Sequence, residues 1–211
     1  PSYDNNEIFD EIKNNNLNFK REKINYSFEE DEIKINNLIV NALIDGKLIG
    51  LFREKMEFGP RALGNRSLIA NPKIKNIKQI INSKIKNREE FRPFACSILS
   101  GQENNYFETN QENHLELMNK VFKIKDKFVN EYPGIIHKDL TSRVQTVTEK
   151  INKRYYDLIK LFYEKSKIPM ILNTSLNSSE PICCSPKDAI SFFLKTQIDL
   201  LVMENYIIYR W

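Results

Sequence analysis

The sequence contains few metal-binding or redox-active residues. It has only three cysteines and two histidines, and neither set has the spacing of a zinc site. Cys183 and Cys184 are adjacent, Cys96 lies far from them, and His114 and His137 are isolated from all three. This pattern is typical of buried free thiols in a reducing compartment, so we expect a cytoplasmic protein without a catalytic cysteine.

Long apolar runs and a strong charge of one sign are also absent. No run approaches the roughly eighteen apolar residues that a transmembrane helix needs, and no secretory hydrophobic region follows Pro1. A net charge of +4 is too small to indicate a nucleic-acid partner, although local basic patches remain open. Because the first residue is Pro1 rather than methionine, we expect a fragment of a longer protein.

Residues 1–34 are polar and rich in asparagine, which indicates a lead-in from a missing upstream domain, with a short helix near residues 7–13. Residues 35–211 contain no repeat or low-complexity linker, so we interpret them as one domain. Helical and strand-like patterns alternate along it, which predicts an α/β or α+β fold with a mixed sheet. The predicted helices include 35–43, one starting at 71–72, 155–163 and one starting at 185; the predicted strands include 47–52, 67–70, 94–99, 169–172, 200–203 and 206–209.

Residues 57–67, here called the arginine turn, combine two glycines, a proline and two arginines between strand-like runs. Glycine allows close approach of a ligand to the backbone, and proline fixes one backbone angle. Arg61 and Arg66 offer planar groups suited to phosphate or carboxylate. The turn therefore predicts an anion site; the alternative is a surface turn whose arginines pair with Glu54 and Glu57.

A second basic segment contains Lys86, Arg88 and Arg92. If the chain is extended, Lys86 and Arg88 point to the same face, whereas in a helix they diverge. Arg92 precedes a proline and is biased toward extended geometry. Three cations could thus face one pocket; the alternative is a solvated charge run with Glu89 and Glu90 as local partners.

Two polar clusters follow. His137, Asp139, Arg143 and Gln145 lie close together at a predicted strand, which favours a site, although a lone histidine is more often structural. Residues 173–179 form a loop of hydroxyls and amides at the end of a predicted strand, where functional loops are common. The alternative for this loop is ordinary turn and capping chemistry.

Four sequence blocks together resemble the C-terminal domain of the O-carbamoyltransferases, which include nodulation-factor and antibiotic carbamoyltransferases. The blocks occur in the order of that family and span nearly the whole chain after residue 35. They are residues 59–67, 86–94, 141–147 and 173–177.

The resemblance implies a fold of the YrdC type, a twisted mixed sheet flanked by helices with a concave basic cavity. Full-length members of the family carry an upstream kinase-like domain that binds a metal and transfers the carbamoyl group to an acceptor hydroxyl. Their C-terminal domain resembles YrdC proteins, which make a carbamoyl-type adenylate. The implied reactants are carbamoyl phosphate and ATP with Mg²⁺, and the metal of the upstream domain would not be bound by this chain.

YrdC-like proteins use a Lys-x-Arg pair and a Ser-x-Asn pair, which Lys86 with Arg88 and Ser175 with Asn177 resemble. Both reactants are polyanions, so cations and amides suffice and no side-chain nucleophile is needed. The predicted catalytic residues are Lys86, Arg88 and Arg143, with no metal ligands. The predicted substrate- and ATP-binding residues are Arg61, Arg66, Arg92, His137, Gln145, Asn173, Ser175 and Asn177.

Some positions depart from the family pattern. Leu140 stands where a glycine is usual, Ser142 where an alanine is usual, Cys96 where a proline is usual, and residues 54–55 replace a usual Gly-Arg pair. None of these removes a predicted cation. They affect the shape of the pocket and the acceptor more than the chemistry.

Two other functions compete with the enzyme. A basic YrdC-like cavity could bind RNA, which would show a steep salt dependence and a footprint of many surface cations. The domain could also be a scaffold half that only completes the site of the upstream domain. The arginines lie in separate turns beside serine, asparagine and glutamine, which suits a small pocket better than an RNA surface.

Overall fold

The computed structural model describes residues 1–89, 92–110 and 114–211, and nine strands in these residues form one mixed sheet. The order of the strands in the sheet is β1-β9-β8-β2-β3-β7-β4-β6-β5. The strands are β1 (Asn25–Phe28), β2 (Ile49–Phe52), β3 (Arg66–Ala70), β4 (Ala95–Leu99), β5 (Lys120–Lys123), β6 (Thr141–Val147), β7 (Met170–Ser175), β8 (Leu200–Met203) and β9 (Tyr206–Tyr209).

Helices connect these strands. They are α1 (Asn5–Asn14), α2 (Asn16–Arg21), α3 (Glu32–Ile44), α4 (Ile77–Ile81), α5 (Glu103–Tyr106), α6 (Lys153–Ser166) and α7 (Pro186–Lys195). A π-helical turn, Asn82–Lys86, continues α4, and a 3₁₀ turn covers Asp126–Phe128. No helix among the described residues is long and apolar enough to cross a bilayer.

The register of the sheet brings the predicted motif strands to one edge. β4 runs parallel to β6 and antiparallel to β7, so that Ala95 pairs with both Arg143 and Asn173. β3 runs antiparallel to β7, which pairs Ser67 with Ser175. Motif residues that are distant in sequence therefore lie close together at this edge of the sheet. The arginine turn leads into β3 at the same edge.

The core explains why these segments form central strands. Every residue of β2, β3, β4 and β8 is buried, as expected for strands covered on both faces. The N-terminal segment joins the same core, because Ile8 and Ile12 of α1 are fully buried and β1 pairs with β9. Residues that the sequence indicated as a lead-in are thus packed on this sheet.

Most of the predicted helix boundaries are confirmed. Gly46 ends α3 with a φ of +77°, and Ser185 caps α7 in a reciprocal capping box with Asp188. The predicted helix start at 71–72 was wrong, because α4 begins at Ile77. The backbone oxygen of Pro72, which a helix would use internally, accepts a hydrogen bond from the Gly134 amide at 3.0 Å instead.

Candidate active site

The arginine turn is held by its own glutamate. Oε1 of Glu57 accepts hydrogen bonds from the amides of Leu63 and Asn65, both at 2.7 Å. Among the described residues no ion pair joins Glu54 or Glu57 to an arginine of the turn. The alternative of a surface turn whose arginines pair with Glu54 and Glu57 is therefore wrong for the described residues.

Gly64 lets the turn lie against α6. Its φ is +124°, and a Cβ atom at this position would lie 2.5 Å from the ring of Tyr155. A residue with a side chain here would have a strained backbone conformation, and its Cβ atom would clash with a buried aromatic ring. The glycine is thus required for the close approach of the turn to the helix.

Three buried polar side chains of the sheet hold the arginine turn in place. They are Ser97, Gln145 and Asn173, and we call them the amide clamp. Nε2 of Gln145 donates to the carbonyl of Leu63 at 2.9 Å, and Nδ2 of Asn173 donates to the carbonyl of Ala62 at 3.1 Å. Ser97 joins the two amides, since its hydroxyl donates to Oε1 of Gln145 at 2.6 Å and accepts from Nδ2 of Asn173 at 2.9 Å. The clamp fixes the backbone beside Arg61 from the face of the sheet.

The arginine turn and the edge of the sheet enclose a cavity of about 120 Å³, which we call the cationic cavity. Arg61, Arg88 and Arg143 line it, and no carboxylate does so among the described residues. The remaining lining includes Pro60, Ala62, Ala95, Asn173, Thr174 and Ser175. Guanidinium groups are suited to binding phosphate or carboxylate, so this lining makes the cavity a candidate site for an anion.

The guanidinium groups of this cavity retain unused donors. Neither Arg61 nor Arg143 has an ion-pair partner in the described part of the chain. Arg88 donates through Nε to Oδ1 of Asn82 at 2.8 Å and lies 4.9 Å above the ring of Phe94. Burial, and secondarily the charge of Arg61, lowers the pKa of Arg143. A bound anion would relieve the repulsion between these like charges.

Lys86 lies beside the cationic cavity and is buried. Its Nζ atom lies 2.6 Å from the carbonyl oxygen of Ser175, 2.7 Å from that of Asn177, and 2.8 Å from Oδ1 of Asn177. The Ser175 hydroxyl also donates to Oδ1 of Asn177 at 2.6 Å. Burial, followed by the charge of Arg88, lowers the pKa of Lys86 to about 7. The two predicted pairs, Lys-x-Arg and Ser-x-Asn, therefore meet at Ser175.

The extended geometry that we considered for Lys86 and Arg88 was wrong. Lys86 is the last residue of the π-helical turn, and Asn87 takes a left-handed conformation with a φ of +43°. The Arg88 amide then donates back to the carbonyl of Asn82 at 3.1 Å. A tight reversal, rather than strand alternation, places Lys86 on the Ser-x-Asn turn and Arg88 on the cavity.

Arg66 occupies a different place from Arg61. It is fully buried, donates to the carbonyls of Arg53 and Asn65 at 2.6 and 3.0 Å, and lies 3.7 Å above the ring of Phe52. Its donors are directed to backbone oxygens at the base of the turn, and it does not belong to the cavity lining. The structure therefore places Arg66 in the support of the turn.

His137 and Arg92 also lie outside the cavity lining. Nε2 of His137 donates to the carbonyl of Phe94 at 3.1 Å, and its Nδ1 lies 3.1 Å from the hydroxyl of Thr141. Burial lowers the pKa of His137. Arg92 is exposed and pairs with Glu89 at 3.1 Å, as the charge-run alternative predicted for that residue.

Two solved structures share this fold. The chain is similar to full-length HypF, described as phosphate- and nucleotide-bound, with a TM-score of 0.55 and 20% identity over 81% of this chain and 25% of that one. It is also similar to a variant of Sua5 from P. abyssi, with a TM-score of 0.52 and 19% identity over 79% of this chain and 45% of that one. The fold is thus of the YrdC/Sua5 type, which confirms the predicted fold class.

The sequence comparisons identify the family. The family described as "Carbamoyltransferase C-terminus" matches residues 40–210, and the chain belongs to it. An uncharacterized protein of Methanocaldococcus jannaschii is 42% identical over 95% of this chain, and the nodulation protein NolNO of Sinorhizobium fredii is 40% identical over 79% of it. The chain spans 37% of the first relative and 25% of the second.

Proposed function

We propose that this chain forms carbamoyl-adenylate from carbamoyl phosphate and ATP, as the adenylate-forming part of an O-carbamoyltransferase. The observation that carries the proposal is the cationic cavity, where Arg61, Arg88 and Arg143 face a space without a described carboxylate. Membership of the carbamoyltransferase C-terminal family supports the carbamoyl substrate. The likeness to HypF, whose structure is described as phosphate- and nucleotide-bound, supports the nucleotide.

The proposed reaction has two steps and consumes one water molecule. Water releases phosphate from carbamoyl phosphate and leaves carbamate. A carbamate oxygen then forms a bond to the α-phosphorus of ATP, while the bond from this phosphorus to the bridging oxygen breaks and pyrophosphate leaves with that electron pair. Negative charge shifts among phosphoryl oxygens throughout, so that fixed cations can stabilise the transition states without a protein nucleophile.

The proposed roles follow from the contacts of each side chain. Arg61, Arg88 and Arg143 bind phosphoryl oxygens, because they line the cavity and no carboxylate of the described residues lines it with them. The Ser175 hydroxyl lies at the same cavity, and Lys86 supports the Ser-x-Asn turn through its three shortest contacts, at 2.6–2.8 Å. Mg²⁺ bound to ATP would neutralise part of the phosphate charge. The described residues contain no group of three or more metal-ligating side chains that could hold an ion.

Transfer of the carbamoyl group to an acceptor hydroxyl is assigned in this proposal to an upstream kinase-like domain. The chain spans only 37% and 25% of its relatives from M. jannaschii and S. fredii, which leaves room for such a domain in proteins of that length. We place the reaction in the cytoplasm, since the three cysteines Cys96, Cys183 and Cys184 are free thiols.

The proposal is tested by measuring pyrophosphate release from ATP and Mg²⁺ by the purified chain, with and without carbamoyl phosphate. We expect release only when all the reactants are present, and a loss of at least tenfold in Arg143→Gln, which removes a charge-assisted contact. Lys153→Ala, on the exposed face of α6, is the control. Release at equal rates in Arg143→Gln and wild type would overturn the proposed site.

The RNA-binding alternative makes a different prediction for the same variants. It requires many surface cations and a steep salt dependence. The convergence of three arginines on a cavity of about 120 Å³ favours a small anion. Salt-dependent RNA binding that Arg143→Gln leaves unchanged, without any ATP cleavage, would favour the alternative.

A further inference from the structure

His137 lies outside the cationic cavity, and both nitrogens of its ring have polar partners. Nε2 donates to the carbonyl of Phe94 at 3.1 Å, and Nδ1 lies 3.1 Å from Oγ1 of Thr141. The backbone holds the same loop closed, because the amide of His137 donates to the carbonyl of Thr141 at 2.7 Å. The imidazole therefore has a fixed orientation, with Nε2 directed at the residue that precedes β4.

The contact with Phe94 does not depend on the charge of the ring. A carbonyl oxygen only accepts hydrogen bonds, so Nε2 must carry a proton. In the neutral ring Nδ1 is then the acceptor, and the Thr141 hydroxyl donates to it. In the protonated ring Nδ1 donates to this hydroxyl, whose own proton can go to Oδ1 of Asp139 at 2.6 Å. The donor toward Phe94 is thus present in both protonation states of His137.

The ring of Phe94 connects this hydrogen bond to the cationic cavity. Phe94 is buried, and the residues on either side of it, Pro93 and Ala95, line the cavity. The guanidinium carbon of Arg88, which also lines the cavity, lies 4.9 Å from the centroid of the Phe94 ring. A cation in this position is attracted by the face of the ring. His137 therefore anchors the residue on which Arg88 lies.

Arg88 depends on its supports because the orientation of its planar group decides how it binds. Two donors of one guanidinium can bind a phosphate together only when the plane faces the anion. The described contacts that set this plane are the bond from Nε to Oδ1 of Asn82 at 2.8 Å and the ring of Phe94. A shift of Phe94 would tilt the guanidinium or move it away from the cavity.

We propose that His137 is a positioning residue of the cationic cavity: it anchors Phe94 and thereby orients Arg88 toward a bound phosphoryl group. The inference rests on the proposed function, since it requires a phosphoryl group that Arg88 binds. His137 itself contacts no substrate and transfers no proton in this role. What the role requires is a hydrogen-bond donor at the place of Nε2, which the amide of a glutamine can supply.

The test measures kcat/KM for pyrophosphate release, with carbamoyl phosphate as the varied substrate, in His137→Leu and His137→Gln. His137→Leu removes the donor, and we expect a loss of about tenfold because a displaced binding group slows the reaction. His137→Gln keeps a donor near the place of Nε2 and should stay within about threefold of wild type, since the hydrogen bond is retained. His114→Leu is the matched control and should react as wild type does, because His114 is the other histidine of the chain and is exposed.

A double-mutant cycle separates positioning from a general structural defect. If His137 acts through Arg88, His137→Leu should cost less than about twofold in an Arg88→Gln background, because the group that it orients is gone. A general defect would instead lower kcat/KM by the same factor in both backgrounds. Equal factors in the two backgrounds would overturn the inference, as would His137→Gln that is as defective as His137→Leu, or His137→Leu that is as active as wild type.

The Arg88→Gln variant distinguishes failure of this inference from failure of the proposed function. If Arg88→Gln loses pyrophosphate release while His137→Leu keeps it, only the positioning role is wrong. If wild type releases no pyrophosphate, or Arg88→Gln releases it as fast as wild type, the proposed function fails and the inference with it. Should His137→Leu not fold, His137→Asn takes its place and should show the same loss, because its shorter amide reaches the place of Nδ1 and not that of Nε2.

Discussion

The Nζ atom of Lys86 lies 2.8 Å from Oδ1 of Asn177, although 91 positions separate the two residues in the chain. The contact joins the last residue of a π-helical turn to the loop after β7. It also explains how a buried ammonium is tolerated, because the backbone oxygens of Ser175 and Asn177 accept from the same nitrogen. The Lys-x-Arg and Ser-x-Asn pairs thus form one connected structure beside the cationic cavity.

Arg88→Lys should be costly although it keeps the charge. Arg88 lies on the cationic cavity and is oriented by Asn82 at 2.8 Å, so that its planar group can bind a phosphate through two donors. A lysine offers only a point charge, and loss of a charge-assisted contact costs about 1.5–3 kcal/mol, or roughly tenfold to a hundredfold in affinity. Calorimetry with ATP and carbamoyl phosphate measures this loss.

Arg21→Lys is the matched control for Arg88→Lys, because Arg21 is an exposed arginine on α2. It should bind both ligands as wild type does. Equal affinities in Arg88→Lys and Arg21→Lys would show that Arg88 is a solvated charge and that the site assignment has lost a main support.

The buried amine of Lys86 should make stability depend on pH. Its pKa is about 7 in the folded chain and 10.5 unperturbed, so the unfolded chain binds more protons between these values. The free energy of unfolding therefore rises with pH in this window, as the penalty for burying the charge is removed. Below pH 7 both states carry the proton and the penalty is fully present.

Urea unfolding at pH 6.5 and pH 9 tests this linkage. The unfolding free energy of wild type relative to Lys86→Met should increase between the two pH values, since the variant lacks the titrating amine. Lys84→Met, at an exposed position of the same π-helical turn, should leave the pH dependence of wild type unchanged. A parallel pH profile for wild type and Lys86→Met would contradict the account.

Ser97→Ala should weaken the arginine turn through the amide clamp. The hydroxyl of Ser97 donates to Gln145 at 2.6 Å and accepts from Asn173 at 2.9 Å, and all three residues are buried. Its loss leaves a buried acceptor with fewer donors and costs about 1–3 kcal/mol of stability. Urea unfolding measures the loss, with the exposed Ser83→Ala as a control; equal stabilities would show that the clamp is energetically unimportant.

Leu140→Gly should stabilise the fold. Leu140 has a φ of +63°, a region that costs a side chain about 1–2 kcal/mol, and its side chain is 39% exposed. We expect a gain of about 1 kcal/mol, reduced by the greater entropy of glycine in the unfolded chain. The control is Ile33→Gly, an exposed position in the first turn of α3, where glycine should destabilise the fold through its greater entropy in the unfolded chain.

The backbone at Leu140 gives a physical reason for the glycine that the family pattern has at this position. The resemblance places a glycine at this position, and the structure keeps the left-handed backbone that glycine favours. Glu54, which stands in place of another usual glycine, likewise has a positive φ, of +48°. A lower unfolding free energy in Leu140→Gly than in wild type would show that the leucine packs better than its exposure indicates.

The sequence predicts the fold class better than it predicts the local backbone geometry. Strand and helix periodicity locate most elements, because burial on one or both faces of the sheet selects the pattern. The reversal at Asn87 could not be deduced, since an i, i+2 spacing fits a strand equally well. Only the three-dimensional contacts with Ser175 and Asn177 decide where Lys86 lies.

Arginines of the same motif can have different roles, and sequence does not separate them. Arg61 lies on the cavity, whereas Arg66 is buried over Phe52 and bonded to backbone oxygens. Ser97 carries no sequence signal beyond being a small polar residue in a buried strand, yet it joins the clamp. The roles of these residues depend on tertiary contacts that a linear pattern does not contain.

The central claim is that Arg61, Arg88 and Arg143 bind the phosphates of the substrates in one cavity. The most direct measurement is a crystal structure of the chain with carbamoyl phosphate and an ATP analogue whose α,β-bridge resists cleavage. The account predicts phosphoryl oxygens within hydrogen-bond distance of all three guanidinium groups. A nucleotide bound elsewhere, with none of these arginines touching a phosphate, would contradict it.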